Sequence, residues 1–230
     1  MRLRPDTFHL KRRIFELFGS DRYSRQGHED LDRKLSPYLG KRNGFFIEAG
    51  ANDGVAFSNT YYLERILGWT GILVEGIPHL CESARRNRPR SRVFQCALVP
   101  AEQEGTEVEM IYGNLMSLVA GAMGSPEADA EHIRKAAEHD RESGSFKVAV
   151  KGRTLSSIID ESNVGRIDFL SLDVEGFEGP VLRGLDFARH RPEYICIEAR
   201  KRPEIEGLLN PYYDLVEELT AMDLLFRAKG

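Results

Sequence analysis

Gly44-Phe45-Phe46-Ile47-Glu48-Ala49-Gly50-Ala51-Asn52-Asp53-Gly54 is an apolar run, an acid and then a turn of small residues. Phe45 to Glu48 reads as a buried strand, and the glycines after it let the backbone turn tightly and approach a ligand. Ser58, Asn59 and Thr60 then offer side-chain oxygens to cap a helix carried by Tyr62, Leu63, Ile66 and Leu67 and closed by Gly68. A strand, a glycine turn and a helix in this order make a site for a nucleotide-like group. Ile72 to Glu75 continues as a second strand, Pro78 opens a helix to about Asn87, and Arg92 to Val99 is a third strand. These elements form one half of a nucleotide-binding parallel sheet.

The rhythm breaks from Ala101 to Lys151. Val108 to Tyr112 and Phe146 to Lys151 read as strands around a Gly, Ser, Met and Ala-rich stretch with a charged helix near Glu127 to Arg141. An excursion of this length from an α/β core is typically a functional loop or lid, so acceptor selection is assigned to it. The alternation resumes with a helix from Thr154 to about Glu161, a strand from Ile167 to Asp173, a helix opened by Pro180 and a strand from Tyr194 to Glu198. A helix from Pro211 to Ala221 and a strand from Leu224 to Ala228 complete the chain. The fold class expected is α/β, Rossmann-like, with a mostly parallel central sheet, helices on both faces and an insertion after the third strand. Residues 41–230 are expected as one domain, with 1–40 as a helical segment packed on the core.

With 230 residues, 41% of them apolar, the chain can close a sizeable core, and a formal net charge of -4 gives no global attraction to nucleic acid. Cys81, Cys96 and Cys196 have neither zinc-site spacing nor an even count for disulfides, and read as buried thiols in a reducing compartment. No apolar run is long enough to span a bilayer, and a cytoplasmic location is expected. Arg2, Arg4, Lys11, Arg12 and Arg13 stand among Phe8, Ile14, Phe15, Leu17 and Phe18. That composition can make a membrane-surface helix, but a short basic stretch is common on surfaces, and a terminal helix packing its aromatic face on the domain is the expectation.

The chemistry lies at strand ends. Glu75 ends the second strand, where a carboxylate can accept hydrogen bonds from both ribose hydroxyls of an adenosine. A dinucleotide would bring its pyrophosphate to the helix N-terminus, yet Glu48 and Asp53 stand near that position. Two carboxylates repel a pyrophosphate and attract the ammonium and sulfonium charges of S-adenosylmethionine. Asp173-Val174-Glu175-Gly176-Phe177-Glu178 follows the fourth strand with three carboxylates in six residues, and Glu198 ends the fifth. These acids can hold the donor's amino group, orient the acceptor, take its proton or bind a divalent ion such as Mg; equally, Asp173 could cap its turn, Glu175 and Glu178 could be solvated, and Glu198 could be an ordinary strand-end acid. The expected donor-binding set is Glu48, Gly50, Asn52, Asp53, Gly54, Ser58, Asn59, Thr60, Glu75 and Asp173, and the expected catalytic set Asp173, Glu175, Glu178 and Glu198. His132 and His139 are lesser candidates, since each lies in a charged stretch that reads as a solvated helix face.

At these residues the sequence resembles the FkbM-type methyltransferases. Phe45 to Gly54 followed by Phe57-Ser58-Asn59-Thr60-Tyr61-Tyr62-Leu63-Glu64 is similar to the family's first motif, and Gly68-Trp69-Thr70-Gly71-Ile72-Leu73-Val74-Glu75 to its second strand. Arg153-Thr154-Leu155-Ser156-Ser157-Ile158-Ile159, the stretch from Ile167 to Glu178 and the N-terminal Tyr23-Ser24-Arg25-Gln26-Gly27-His28-Glu29-Asp30 are similar to further segments. The resemblance implies methyl transfer from S-adenosylmethionine, usually to a hydroxyl oxygen, and a small-molecule acceptor such as a sugar or polyketide. A nicotinamide-dependent oxidoreductase and a non-catalytic S-adenosylmethionine-binding module are the alternatives. Two features depart from the family. Gly76-Ile77-Pro78 stands where Pro-Asn-Pro is common, and the chain ends near a sixth strand, so that the usual antiparallel seventh is expected to be missing or its edge covered in a homodimer.

Overall fold

The computed structural model describes residues 5–139 and 144–230, with side chains at 10–135 and 144–230. The helices are α1 (Pro5–Leu17), α2 (Leu31–Lys34), α3 (Ser36–Leu39), α4 (Tyr61–Arg65), α5 (Pro78–Asn87), α6 (Pro126–His139), α7 (Leu155–Ser162), α8 (Glu178–Arg183) and α9 (Arg202–Leu209). The strands are β1 (Phe45–Ala49), β2 (Thr70–Glu75), β3 (Ser91–Gln95), β4 (Ala97–Leu98), β5 (Glu107–Tyr112), β6 (Leu118–Val119), β7 (Phe146–Arg153), β8 (Phe169–Leu172), β9 (Tyr194–Glu198), β10 (Tyr213–Glu218) and β11 (Asp223–Ala228).

Seven strands form the central sheet in the order β10-β11-β9-β8-β1-β2-β3. The pairs from β9 through β3 are parallel, while β11 is antiparallel to both neighbours. This is the expected Rossmann-like arrangement, with one antiparallel strand near its edge. Alternate side chains enter opposite layers, as strand geometry requires. Ile47, Ile72, Leu170, Ile197 and Phe226 meet Leu155, Ile158, Val181, Leu182 and Ile205 from α7, α8 and α9. Phe46, Leu73, Phe169, Cys196 and Leu225 meet Leu31, Leu35, Leu39, Leu63 and Ala84 from α2 to α5. Both faces are covered, so the strands are apolar on both sides.

Two expectations about the C-terminus are corrected. Residues 213–218 are a strand, not part of a helix from Pro211 to Ala221, and the helix lies earlier at Arg202–Leu209 with Pro203 in its first turn. The register with β11 shifts between Leu215 and Glu217, so Val216 is an extra residue that breaks period-2 alternation and lets the stretch mimic a helix. The antiparallel strand expected to be absent is β11, which removes the truncated sheet as a ground for a covering second chain.

Residues 97–153 build a second sheet in the order β4-β7-β5-β6. Its inner residues, Val108, Met110, Tyr112, Val119 and Val150, pack on Ile77 and Leu80 at the start of α5. The expected third strand is thus split: Ser91–Gln95 stays in the central sheet, and Ala97–Leu98 pairs with β7 instead.

At the N-terminus, α1 rests on the domain through charged side chains as well as Phe15, and the side chain of Phe8 lies outside the described residues. Arg12 and Glu16 face inward, while Leu10, Ile14, Leu17 and Phe18 are exposed. Phe15 meets the Tyr23 ring edge to face at 4.9 Å. Among the described residues no helix is long and apolar enough to cross a membrane.

Candidate active site

The turn after β1 is stitched to β2. Gly50 and Ala51 both donate their amides to the Val74 carbonyl, at 3.0 and 3.1 Å. Gly50 has φ +81, and a Cβ there would lie 1.8 Å from the Asp173 carbonyl oxygen, so only glycine lets the β1 and β8 ends approach this closely. Asn52 is also left-handed, at φ 48. Its amide donates to Glu75 Oε2 at 2.9 Å, and the Ile77 amide donates to Glu75 Oε1 at 2.8 Å. Burial raises the Glu75 pKa above the ordinary glutamate value, opposed by those amides. Glu75 is therefore fixed in orientation and still lines the cavity beyond the strand ends.

That cavity has a volume of about 590 Å³, within the range for a drug-sized ligand. Gly50, Asn52, Ser58 and Glu75 line one side, Asp173, Glu175, Glu198 and Arg200 another, and Met110, Leu118 and Val119 of the second sheet a third. It opens at the C-terminal ends of the parallel strands, where open α/β sheets bind ligands. Another cavity of about 500 Å³ lies against α6, and none of the strand-end acids lines it.

Several expected donor ligands face elsewhere. Glu48 is one residue short of the strand end and buried, and its carboxylate accepts from Ser58 Oγ at 2.9 Å, the Asn59 amide at 2.9 Å and Thr60 Oγ1 at 2.7 Å. Arg88, fully buried, lies 3.5 Å from Glu48 and donates to Glu64 at 2.9 Å. Asp53 accepts from the Val55 and Ala56 amides at 2.8 and 2.7 Å, so it closes the turn. Gly54 packs against Ala84 and Arg88. The Asn59 amide group donates to Ser171 Oγ at 3.1 Å. Glu48, Asp53, Gly54, Asn59 and Thr60 do not line the cavity. The Coulomb attraction anticipated from Glu48 and Asp53 is thus absorbed by the loop and by Arg88. Arg88 gave no signal in the sequence beyond an arginine at a helix end.

The carboxylates after β8 and β9 do converge. Asp173, Glu178 and Glu198 each bring one oxygen within 4.8 Å of the others. Asp173 opens into the cavity, yet the surrounding protein desolvates it, and with Glu175, Glu198, Glu178 and Asp223 nearby its pKa lies well above the ordinary aspartate range. Burial, helped by Glu175 and opposed by Arg200, pushes the Glu198 carboxyl up to about 7. Glu178 sits behind the cavity wall, its Oε1 accepting the Val174 and Gly176 amides at 3.1 and 3.0 Å, and burial raises its pKa too. Like charges this close favour sharing protons over full ionisation. A divalent ion would suit the same three oxygens by charge and spacing.

Glu175 lies in the left-handed region, at φ 53, and meets two side chains the sequence did not mark out as a pair. Arg200 donates to Glu175 Oε2 and to Glu198 Oε2, each at 2.8 Å. His132, expected on a solvated face, is buried, with Nε2 3.0 Å from Glu175 Oε2. The insertion helix α6 thus reaches the acidic cluster. The side chain of His139 lies outside the described residues.

Similar proteins agree with this picture at the level of family. The sequence pattern described as Methyltransferase FkbM domain matches residues 48–230. No curated protein matches the chain. Solved structures similar in fold include a methyltransferase from Geobacter sulfurreducens, at 11% identity and TM-score 0.48, covering 100% of this chain and 90% of that one. A human methyltransferase 10 domain containing protein is 9% identical with TM-score 0.48, over 100% and 99% of the two chains. An O-methyltransferase from Bacillus cereus in complex with SAH is 12% identical with TM-score 0.46, over 100% and 93%. Likeness at that level assigns no residue a role here. The match across residues 48–230 does settle the family: the chain belongs to the FkbM methyltransferases, enzymes that draw their methyl group from S-adenosylmethionine.

Proposed function

We propose that this enzyme methylates a hydroxyl oxygen of a small molecule, with Glu75 gripping the donor's ribose and the Asp173–Glu198 pair handling the acceptor's proton. The juxtaposition of Asp173 and Glu198 carries the reading. Leu172 and Ile197 are register partners on adjacent parallel strands, so the next residue of each, Asp173 and Glu198, reaches the same cavity. One of them near neutrality, at about 7, is matched to accepting a proton at physiological pH.

S-adenosylmethionine supplies an electrophilic methyl carbon on a sulfonium. Gly50 and Asn52 border the cavity beside Glu75, which offers its remaining lone pairs to two ribose hydroxyls. Across the cavity, Glu198 accepts the acceptor's hydroxyl proton as the oxygen bonds to the methyl carbon and the carbon–sulfur bond breaks. Asp173 orients that hydroxyl. Arg200 steadies Glu198 and Glu175, and a divalent ion, where one binds, would be held by Asp173, Glu178 and Glu198 and would lower the pKa of the acceptor hydroxyl. Met110, Leu118 and Val119 make the acceptor side partly apolar, which suits a natural-product scaffold and helps exclude water.

The test is a panel of hydroxylated small molecules with methyl-labelled donor, run on the wild type, Asp173→Asn and Glu198→Gln. Label on oxygen, with turnover down by about a hundredfold or more in Glu198→Gln, supports the reading. Label on nitrogen or carbon, or full turnover in both variants, defeats it. Loss of activity on chelation with recovery on adding Mg would transfer the proton-handling role to a metal held by the same carboxylates.

A further inference from the structure

The polarity of α1 is inverted relative to an ordinary surface helix, and the domain it rests on does not explain why. A helix that docks on a core buries its apolar stripe and leaves charges outside. Here Glu16 is buried and receives hydrogen bonds from Ser24 Oγ at 3.0 Å, Tyr61 Oη at 2.9 Å and the Arg65 guanidinium at 3.0 and 3.1 Å. Arg12, equally buried, lies over the Tyr61 ring at 4.7 Å. The polar face is thus the docking face. Leu10, Ile14 and Leu17 follow the i, i+4, i+7 spacing of one helix face and continue into Phe18. They are 61, 43, 84 and 86% exposed.

The charges around the stripe say what covers it. On the helix surface Lys11 and Arg13 fall on either side of the apolar line, both exposed, and Arg22 follows just beyond. Residues 1–25 hold seven Lys or Arg against three Asp or Glu, whereas the whole chain has a formal net charge of -4. Basic flanks on an exposed apolar stripe match an anionic bilayer surface, where side chains enter the acyl boundary and cations meet headgroups. A second copy of the chain fits poorly. A symmetric pair would set Lys11 and Arg13 of both copies against one another, and four side chains fall far short of the roughly 20–30 residues per side that a stable interface buries.

We propose that α1 is a peripheral membrane anchor that lies in the plane of an anionic lipid surface, inserting Leu10, Ile14, Leu17 and Phe18 between headgroups. Polar bonds from Glu16 to Tyr61 and Arg65 fix the anchor to the domain, so binding places the enzyme at the membrane in one orientation. This inference does not depend on the acceptor assigned above.

Co-sedimentation of the full chain with phosphatidylcholine vesicles, with and without phosphatidylglycerol, tests it. The wild type should pellet with the anionic vesicles only, and release as salt shortens the Debye length to about 3 Å. Leu17→Ser/Phe18→Ser and Lys11→Glu/Arg13→Glu should each weaken vesicle binding by about tenfold or more, with an unchanged unfolding temperature because these side chains are exposed. A wild type that stays in the supernatant with anionic vesicles, or variants that bind as the wild type does, overturns the proposal. A dimer seen by sedimentation velocity that dissociates in Leu17→Ser/Phe18→Ser overturns it as well, in favour of self-association.

Discussion

Replacing Glu198 by glutamine should make the protein more stable above neutral pH while disabling it. Glu198 is 7% exposed, and burial next to Glu175 raises its carboxyl from 4.5 to about 7 in the folded state. Below the unfolded value both states hold the proton and no penalty arises. Between the two values the unfolded chain releases its proton and the folded chain keeps it, so stability falls as pH rises, and the loss is complete above the folded value. At about 1.4 kcal/mol for each unit, the charged carboxylate costs the fold roughly 3 kcal/mol. Glutamine carries no charge at any pH, and Arg200 keeps Glu175 as a partner. Urea unfolding of both proteins should show the variant's relative stability rising by about 2–3 kcal/mol between about pH 5 and 8, or by roughly 5–10 °C in thermal midpoint. A gap that does not change with pH would mean that Glu198 is already ionised in the folded protein at about pH 5, and it would remove Glu198 as the base.

Glu75→Ala should weaken binding of S-adenosylhomocysteine by about ten- to a hundredfold in calorimetry, the loss of two ribose hydrogen bonds to a charged group. Unaltered affinity would dismiss Glu75 as a donor ligand. Arg88→Met leaves Glu48 and Glu64 buried without their cation, and should cost about 3–5 kcal/mol in chemical unfolding. Glu48→Gln should lower stability by about 1–3 kcal/mol while keeping donor affinity within a few fold, and a large affinity loss without a stability loss would restore Glu48 to the donor site. Gly50→Ala should abolish donor binding and lower stability by about 2 kcal/mol or more, because its methyl group would collide with the Asp173 carbonyl. Retained binding in that variant would show that the β1 turn can yield.

Much of the frame was readable in one dimension. Phe45 to Glu48, Ile72 to Glu75 and Tyr194 to Glu198 are short apolar runs that read as buried strands and are strands, and Pro78 marked its helix at the first turn. The failures have local causes. Val216 is a bulge on an edge strand, and one unpaired residue is enough to destroy the alternation that identifies a strand. His132 sits in a run of charges, and its burial depends on α6 folding over the acidic cluster from outside the central sheet. The apolar residues of α1 looked like core because nothing in their spacing says which side of a helix faces the domain.

By itself the sequence determined the parallel strands β1, β2, β8 and β9, the glycine that the β1 turn requires and the acids available at the strand ends. Tertiary structure decided which of those acids share a cavity. Glu48 pairs in register with Leu73, two residues deeper than Glu75, on the face that meets the α2 to α5 helices. Its carboxylate is consumed by Ser58, Thr60 and Arg88. Asp173 and Glu198 instead stand one residue beyond the paired Leu172 and Ile197, where the strands end and the cavity begins. Strand-end acids look alike in sequence because depth and facing come from register between distant strands, and the protonation of Glu198 follows from the burial that register imposes.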